Sequence, residues 1–184
     1  MNNILLTGEV QVGKSTVIQK VLDMLKKDYD LKIGGYRGTR ALIKEENKTI
    51  LRFGMNSLSD NSSYKVLQNE IIDGKNNVTI YSESFDEYAP KLKADLENCN
   101  LIILDEIGFA ESNSPKYLEV LNEALDSDKV VFGVLKKWDC PVVNGVRDRQ
   151  DVTLFNIDED NRDYIYKEII AECGCSGSVK WKHH

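Results

Sequence analysis

The sequence has only three prolines and four cysteines in 184 residues, and it contains no long apolar run. A membrane-spanning helix needs about 20 consecutive, mostly apolar residues, so we expect no membrane segment. The opening residues, MNNILLTGEV, have neither the basic start nor the cleavage site of a secretion signal. We therefore expect a cytoplasmic protein whose cysteines are free thiols. They are Cys99, Cys140, Cys173 and Cys175.

A basic surface is also missing, because the formal net charge is −6 and lysine and arginine are scattered among acidic residues. Proteins that bind nucleic acid usually cluster basic side chains to neutralise phosphates, so we do not expect nucleic acid to be the main partner. With 41% hydrophobic and 29% charged residues, the composition is typical of a globular protein. The length fits one domain, which we place at residues 1–184.

A metal–thiol site is the one function that the cysteines suggest. Cys173 and Cys175 are separated by one residue and precede His183 and His184. That spacing is tighter than the two to four intervening residues of common zinc sites. We therefore do not expect a structural metal here.

The segment GEVQVGKST carries the strongest functional signal. Residues 8–15 fit G-x-x-x-x-G-K-[ST], after an apolar run that predicts a strand and before a helix predicted from Lys14 to about Asp28. Such a loop turns its backbone N–H groups and the helix N-terminus toward phosphate oxygens. Lys14 is then expected to reach the β- and γ-phosphates and Ser15 to ligate Mg²⁺. The predicted phosphate-binding residues are Gly8, Glu9, Val10, Gln11, Val12, Gly13, Lys14, Ser15 and Thr16.

The rest of the chain alternates between strand and helix patterns, which predicts a single α/β fold. LKIGGYRG and TILRF are predicted strands of a hairpin, while MNSLSDNSS and DGKNN are predicted loops. SFDEYAPKLKADLENC is predicted to be helical despite Pro90. Ser114-Pro115 is predicted to cap and start another helix, and a final helix is predicted over EDNRDYIYKEIIAECG.

LIILDE is the second functional signal. A carboxylate at the end of an apolar strand is the position of a Walker B residue, so Asp105 is expected to hold Mg²⁺ through water. Glu106 follows directly and is expected to orient and polarise the attacking water. Hydrolysis also needs further positive charge, for which Arg37, Arg40 and Arg162 are candidates. We favour contact with nucleotide by Arg147 or Arg149, which lie in VRDRQD.

Taken together, these segments make the chain similar to the THEP-type nucleoside-triphosphatases, also called cancer-related nucleoside-triphosphatases. The shared segments are GEVQVGKST, GGYRG, SFDEYAPKL, LIILDEIGFAE and RDRQDVTLFNIDEDNRD. In LIILDEIGFAE, the family's Asp-Glu-Ile-Gly is followed three residues later by a glutamate, here Glu111. The resemblance implies a three-layer, RecA-like P-loop fold with a mostly parallel sheet and added antiparallel strands. It also implies slow, Mg²⁺-dependent hydrolysis of nucleoside triphosphates with broad base preference.

The chain departs from the pattern of that family in two places. Thr39 and Arg40 stand where members of that family typically have an aromatic residue followed by acidic residues, and Phe109-Ala110 replaces a usual Lys-Met. Neither change touches the residues expected to perform the chemistry. Both changes lie beside those residues in the sequence, so they affect what is expected of the base contacts and the rate of hydrolysis.

Three other functions remain open at this stage. Asp105-x-x-Gly108 and Lys136-Lys137-Trp138-Asp139 resemble motifs of regulatory GTPases, although the guanine-reading asparagine is missing. VVNGVRDRQD could be the reduced lid of a nucleotide or small-molecule kinase. Slow turnover would also suit a nucleotide-gated switch that acts on a protein partner, whose identity the sequence does not give.

Overall fold

The computed structural model describes residues 3–174, which form eight strands and five α-helices. The strands are β1 (Asn3–Gly8), β2 (Ile33–Glu45), β3 (Lys48–Ser57), β4 (Ser63–Ile72), β5 (Lys75–Ile80), β6 (Leu101–Ile107), β7 (Val130–Leu135) and β8 (Val152–Ile157). The helices are α1 (Lys14–Asp28), α2 (Ser82–Asn98), α3 (Pro115–Asp126), α4 (Pro141–Arg147) and α5 (Tyr166–Gly174). A short 3₁₀ turn, Ala110–Asn113, precedes α3.

All eight strands join one sheet in the order β5-β4-β3-β2-β6-β7-β1-β8. The strands from β2 to β8 in this order pair in parallel, whereas β2, β3, β4 and β5 pair antiparallel. The expected α/β fold, a parallel centre with added antiparallel strands, is confirmed. Because β7 lies between β1 and β6, the P-loop strand and the LIILDE strand are not direct neighbours.

Helices cover both faces of the parallel strands, as the unbroken apolar runs of β1, β6 and β7 require. On β1, Leu5 packs toward the cluster that contains α2 and α3, while Ile4 and Leu6 pack toward α1 and α5. These alternating side chains give two hydrophobic layers, one on each side of the sheet. The result is the expected three-layer arrangement.

The segment from residue 55 to 77 differs most from expectation. Its segments MNSLSDNSS and DGKNN are predicted loops, yet residues 55–57 end β3, residues 75–77 begin β5, and β4 occupies residues 63–72 between those two strands. In DGKNN only Asp73 and Gly74 turn, with φ of 50° and 74°, as a two-residue hairpin requires. The pattern was obscure because β4 is half-exposed and therefore tolerates polar side chains on both faces.

Two helix expectations also need correction, and one helix has no counterpart in the predictions. The Ser114 hydroxyl does not cap α3 but donates to the carbonyl oxygen of Ser82 at 2.9 Å. The final helix begins at Tyr166, because the acidic residues before it form turns. α4 was not predicted, since a seven-residue helix that begins at Pro141 gives too short a periodic pattern.

Within residues 3–174 no helix is both long enough and apolar enough to cross a membrane. Cys99 and Cys140 are free thiols, and Cys173 is a buried residue of α5. Cys175, His183 and His184 lie outside the described residues. No group of three or more His, Cys, Asp or Glu side chains in the described part of the chain is placed to hold a metal.

Candidate active site

Three loops meet at one edge of the sheet because β1, β6 and β7 run in parallel. The P-loop follows β1, Asp105 and Glu106 end β6, and Lys136 follows β7. Parallel strands bring their carboxyl ends to the same edge, where ligands of open α/β sheets bind. The two motifs found in the sequence are therefore brought together by the topology.

Two glycines make the tight turn of the P-loop possible. Gly8 ends β1 with φ 145°, and a Cβ there would lie 2.3 Å from the carbonyl oxygen of Ile157. Gly13, with φ 111°, is the residue before the first turn of α1. Only glycine adopts both conformations without strain, so these positions fix how the loop passes into the helix.

The P-loop and Glu106 line one cleft of about 520 Å³. Eight of the nine predicted phosphate-binding residues line it, and Val12 does not, because its side chain is buried among α1 and α5. The other walls come from Arg40, Phe53, Phe109, Val134, Lys136, Lys137 and Trp138.

Lys14 folds back over the P-loop. Its Nζ donates to the carbonyl oxygens of Gly8 at 2.8 Å and Glu9 at 2.5 Å. Partial burial lowers the pKa of Lys14, and the carboxylates of Glu106 and Glu9 oppose that shift. The ammonium is therefore held at the loop and within the field of Glu106.

Glu106 is set at the cleft by an unusual backbone conformation. Its φ is 81°, in the left-handed region that non-glycine residues rarely adopt, and such strain is frequent at functional sites. The side chain is 44% exposed, and its Oε2 lies 3.3 Å from Nζ of Lys136. A carboxylate in this position faces solvent in the cleft and a cation at the end of the neighbouring strand.

Asp105 does not line the cleft and is buried, with only 3% of its side chain exposed. Its Oδ2 accepts hydrogen bonds from Nε of Arg37 at 3.2 Å and from the amide of Gly38 at 3.3 Å. Burial raises the pKa of Asp105, while the neighbouring Arg37 guanidinium lowers it. The second oxygen, Oδ1, is buried and has no hydrogen-bond partner among residues 3–174.

Two arginines contact the P-loop region directly. Arg37 donates from Nη2 to the carbonyl oxygen of Ser15 at 3.2 Å, in addition to its bond with Asp105. Arg162 donates to the carbonyl oxygen of Val12 at 3.4 Å from the opposite flank. Arg40 lines the cleft itself. These three were candidates on sequence grounds.

Arg147 and Arg149, which the sequence favoured, are not brought to the cleft. Arg149 precedes β8 at the amino ends of the strands, where it bonds Asp126 at 2.7 Å and Asp151 at 2.6 Å. Arg147 ends α4 and bonds Asn144 and Asp148. Their acidic neighbours in VRDRQD bind them locally, so the expectation that either contacts nucleotide is not supported by the geometry.

Lys136 is the residue that sequence reasoning missed. The lysine pair was considered only as part of a guanine-reading motif, yet Lys136 faces Glu106 and lies over the Phe53 and Phe109 rings. The available signal was its position directly after the buried strand VVFGVL. A polar residue there lies at the same sheet edge as Asp105 and Glu106.

Comparison with known proteins relates nearly the whole chain to one family. Residues 3–170 match a family model described as NTPase. The chain is 32% identical over 171 residues to nucleoside-triphosphatase THEP1 of Thermotoga petrophila, a match covering 91% of this chain and 90% of the relative. It is 27% identical over 184 residues to the cancer-related nucleoside-triphosphatase homolog of Mus musculus, covering 92% and 95% of the two chains.

A solved structure supports the fold. The crystal structure of THEP1 from the hyperthermophile Aquifex aeolicus superposes with a TM-score of 0.70 at 21% identity. The match covers 94% of this chain and 99% of that one. The added antiparallel strands are therefore part of a shared architecture.

Proposed function

This chain is a member of the nucleoside-triphosphatase family, and we propose that it hydrolyses nucleoside triphosphates to diphosphate and inorganic phosphate in the cytoplasm. The proposal includes slow turnover, dependence on Mg²⁺ and broad base preference. The observation that carries it is that Lys14 and Glu106 line the same cleft although 92 residues separate them in sequence. Phosphate binding and a carboxylate for proton transfer thus occur at one place.

Binding of the triphosphate is assigned to the P-loop. Backbone N–H groups between Gly8 and Gly13 would surround the phosphate oxygens, and the first turn of α1 would direct its positive end toward them. Lys14 would move its ammonium from the Gly8 and Glu9 carbonyl oxygens to the β- and γ-phosphates. Thr16 lines the cleft at the next position of the helix.

Ser15 and Asp105 would hold Mg²⁺. A hydroxyl and a carboxylate are hard oxygen ligands of the kind that Mg²⁺ takes, usually with phosphate and water completing its shell. The buried Oδ1 of Asp105 has no partner among residues 3–174, and a bound cation or its water would satisfy it. When bound, the ion would neutralise charge on the β- and γ-phosphates.

Glu106 would accept the proton of the attacking water. The water oxygen forms a bond to the γ-phosphorus, the bond from that phosphorus to the β–γ bridging oxygen breaks, and the diphosphate leaves. Glu106 is suited to this step because its carboxylate is exposed in the cleft. Arg40 and Lys136 line the cleft and Arg37 contacts Ser15 beside it, so these three would provide the positive charge that the transition state needs.

The test is phosphate release from ATP, GTP, CTP and UTP, each with Mg²⁺ and with EDTA. We expect release from all four and loss of release with EDTA. Glu106→Gln is expected to keep nucleotide affinity and to slow release by roughly 10²-fold or more. Lys14→Ala is expected to abolish nucleotide binding, whereas Glu83→Gln, at an exposed position of α2, serves as the control.

The outcomes are distinct. Release by Glu106→Gln at the rate of the Glu83→Gln control would remove Glu106 from the mechanism. Unchanged nucleotide affinity in Lys14→Ala would overturn the phosphate-binding assignment. Phosphate release from GTP alone would show that the protein is a GTPase and would overturn the proposed broad base preference.

A further inference from the structure

A second cavity of about 250 Å³ adjoins the cleft, and no residue of the P-loop lines it. It lies between the antiparallel strands β2–β5 and the segment that joins β6 to α3. The cleft and the cavity share Phe53, Glu106, Phe109 and Lys136 as lining residues. The two spaces therefore meet where the proposed function places the γ-phosphate, and the cavity extends away from the P-loop.

The body of the cavity is apolar. Strands β3, β4 and β5 contribute Leu51, Leu67 and Val78, and α2 contributes Phe85. Apolar walls bind apolar ligand surface, and pockets for drug-sized ligands are about 300–1,000 Å³. A volume slightly below that range fits a molecule the size of a single ring.

The polar groups of the cavity are mainly hydrogen-bond acceptors. Glu111 is 1% exposed and lines the cavity, with Oε2 accepting from the amide of Gly108 at 3.1 Å. Asn69 lines the wall and has a buried Oδ1 without a partner among residues 3–174. At the boundary the cation of Lys136 is paired with Glu106, and Asp105 adds a further carboxylate, so the lining favours a ligand that donates hydrogen bonds over an anion.

We propose that this cavity is a second ligand site that takes a ring-sized, uncharged molecule bearing a hydroxyl group. The ring lies between β3, β4 and α2, and the hydroxyl donates to an acceptor of the lining. Burial raises the pKa of Glu111 to about 7, so part of this carboxyl is uncharged near neutral pH. An uncharged carboxyl lowers the free-energy cost of placing an apolar ligand surface beside it. This inference depends on the proposed function only for the position of the γ-phosphate.

The test measures binding without nucleotide, so its result does not depend on hydrolysis. Benzyl alcohol and 4-hydroxybenzyl alcohol are titrated against the full chain with saturation-transfer NMR as the readout, and benzoate is the anionic comparison. We expect saturation transfer to both alcohols and little or none to benzoate. Lys14→Ala is expected to leave this binding unchanged, because Lys14 lies in the cleft and does not line the cavity.

Two neighbouring positions on β5 provide a matched pair of variants. Val78 lines the cavity and is 55% exposed, so Val78→Trp fills the space at little risk to folding. Thr79 follows it on the opposite face of the strand and is also exposed. We expect Val78→Trp to weaken alcohol binding about 10-fold or more and Thr79→Trp to leave it unchanged.

Leu51→Trp is the second cavity-filling variant and tests the centre of the space. Its neighbours across the strands are Asn69 and then Val78, so a large side chain there blocks the same volume. Absence of saturation transfer to both alcohols at millimolar concentration would overturn the proposal. So would equal binding by wild type and by both tryptophan variants at positions 51 and 78.

Discussion

The guanidinium of Arg37 lies 3.2 Å from the buried carboxylate of Asp105 and also 3.2 Å from the carbonyl oxygen of Ser15. One side chain of β2 therefore links the end of β6 to the first turn of α1. Asp105 and Ser15, which lie at these two places, are the residues proposed to hold Mg²⁺. Because Arg37 opposes the effect of burial on the Asp105 pKa, it helps to keep that carboxyl ionised.

We expect Arg37→Met to lower the rate of phosphate release by on the order of 10²-fold, the usual cost of losing one positioned charge at a phosphoryl-transfer site. Nucleotide affinity should fall less, because the P-loop amides and Lys14 remain. Steady-state phosphate release and a nucleotide titration of the same preparation measure the two effects.

Arg149→Met is the matched control for this change. Arg149 is bound by Asp126 and Asp151 at the other edge of the sheet, so its loss should lower the melting temperature and leave turnover within about 3-fold of wild type. If Arg149→Met lost as much activity as Arg37→Met while folded, the placement of the functional arginine would be wrong.

Local sequence was sufficient to predict the P-loop and the Asp105–Glu106 pair. Each is a short motif whose strand and helix are adjacent in the chain, so contacts over a few residues define it. The choice of arginine is different, because Arg37 reaches Asp105 across 68 positions of sequence. The sequence favours Arg147 or Arg149 instead, but the fold places Arg149 beside Asp126, a residue of α3 that no local pattern connects to it.

Lys136 and Lys137 are adjacent but have different partners, which makes them a second pair for comparison. Lys136 pairs with Glu106 at 3.3 Å, whereas Lys137, which also lines the cleft, pairs at 3.0 Å with the exposed side chain of Glu9. We expect Lys136→Met to slow phosphate release about 10-fold or more, because a cation beside the reacting group is lost. Lys137→Met should change the rate less than about 3-fold, as is usual for an exposed ion pair.

Single-turnover phosphate release at saturating nucleotide measures this difference free of binding effects. Equal rates for the two variants would show that the ion pair with Glu106 has no part in the chemical step.

The glycines of the P-loop allow a test of its conformation. Gly8→Ala would put a Cβ 2.3 Å from the carbonyl oxygen of Ile157 at φ 145°, so we expect a lower melting temperature and weaker nucleotide binding. Gly145 lies inside α4, and a Cβ there would meet no atom within 4 Å. Gly145→Ala is therefore expected to stabilise the protein by roughly 0.5–1 kcal/mol and to leave binding unchanged.

Thermal denaturation and a nucleotide titration distinguish the two positions. A Gly8→Ala protein with wild-type stability and affinity would contradict the close approach of the P-loop to β8.

Glu111 is expected to make stability depend on pH. Burial raises its pKa from 4.5 to about 7 in the folded protein, so between these values the folded state binds more protons than the unfolded state. Stability from this group is therefore greatest below about pH 4.5 and falls as the pH rises to about 7. At about 1.4 kcal/mol per pKa unit, the change is on the order of 3 kcal/mol at most.

Glu111→Gln removes the titration while its amide oxygen can still accept from the Gly108 amide. We expect the free energy of unfolding of wild type, minus that of Glu111→Gln, to decrease steadily in urea titrations from pH 5 to pH 8. Glu119→Gln, at an exposed position of α3, is the matched control, and its difference from wild type should vary much less. A difference for Glu111→Gln that stays constant over this range would mean that the carboxyl is already ionised in the folded protein at pH 5.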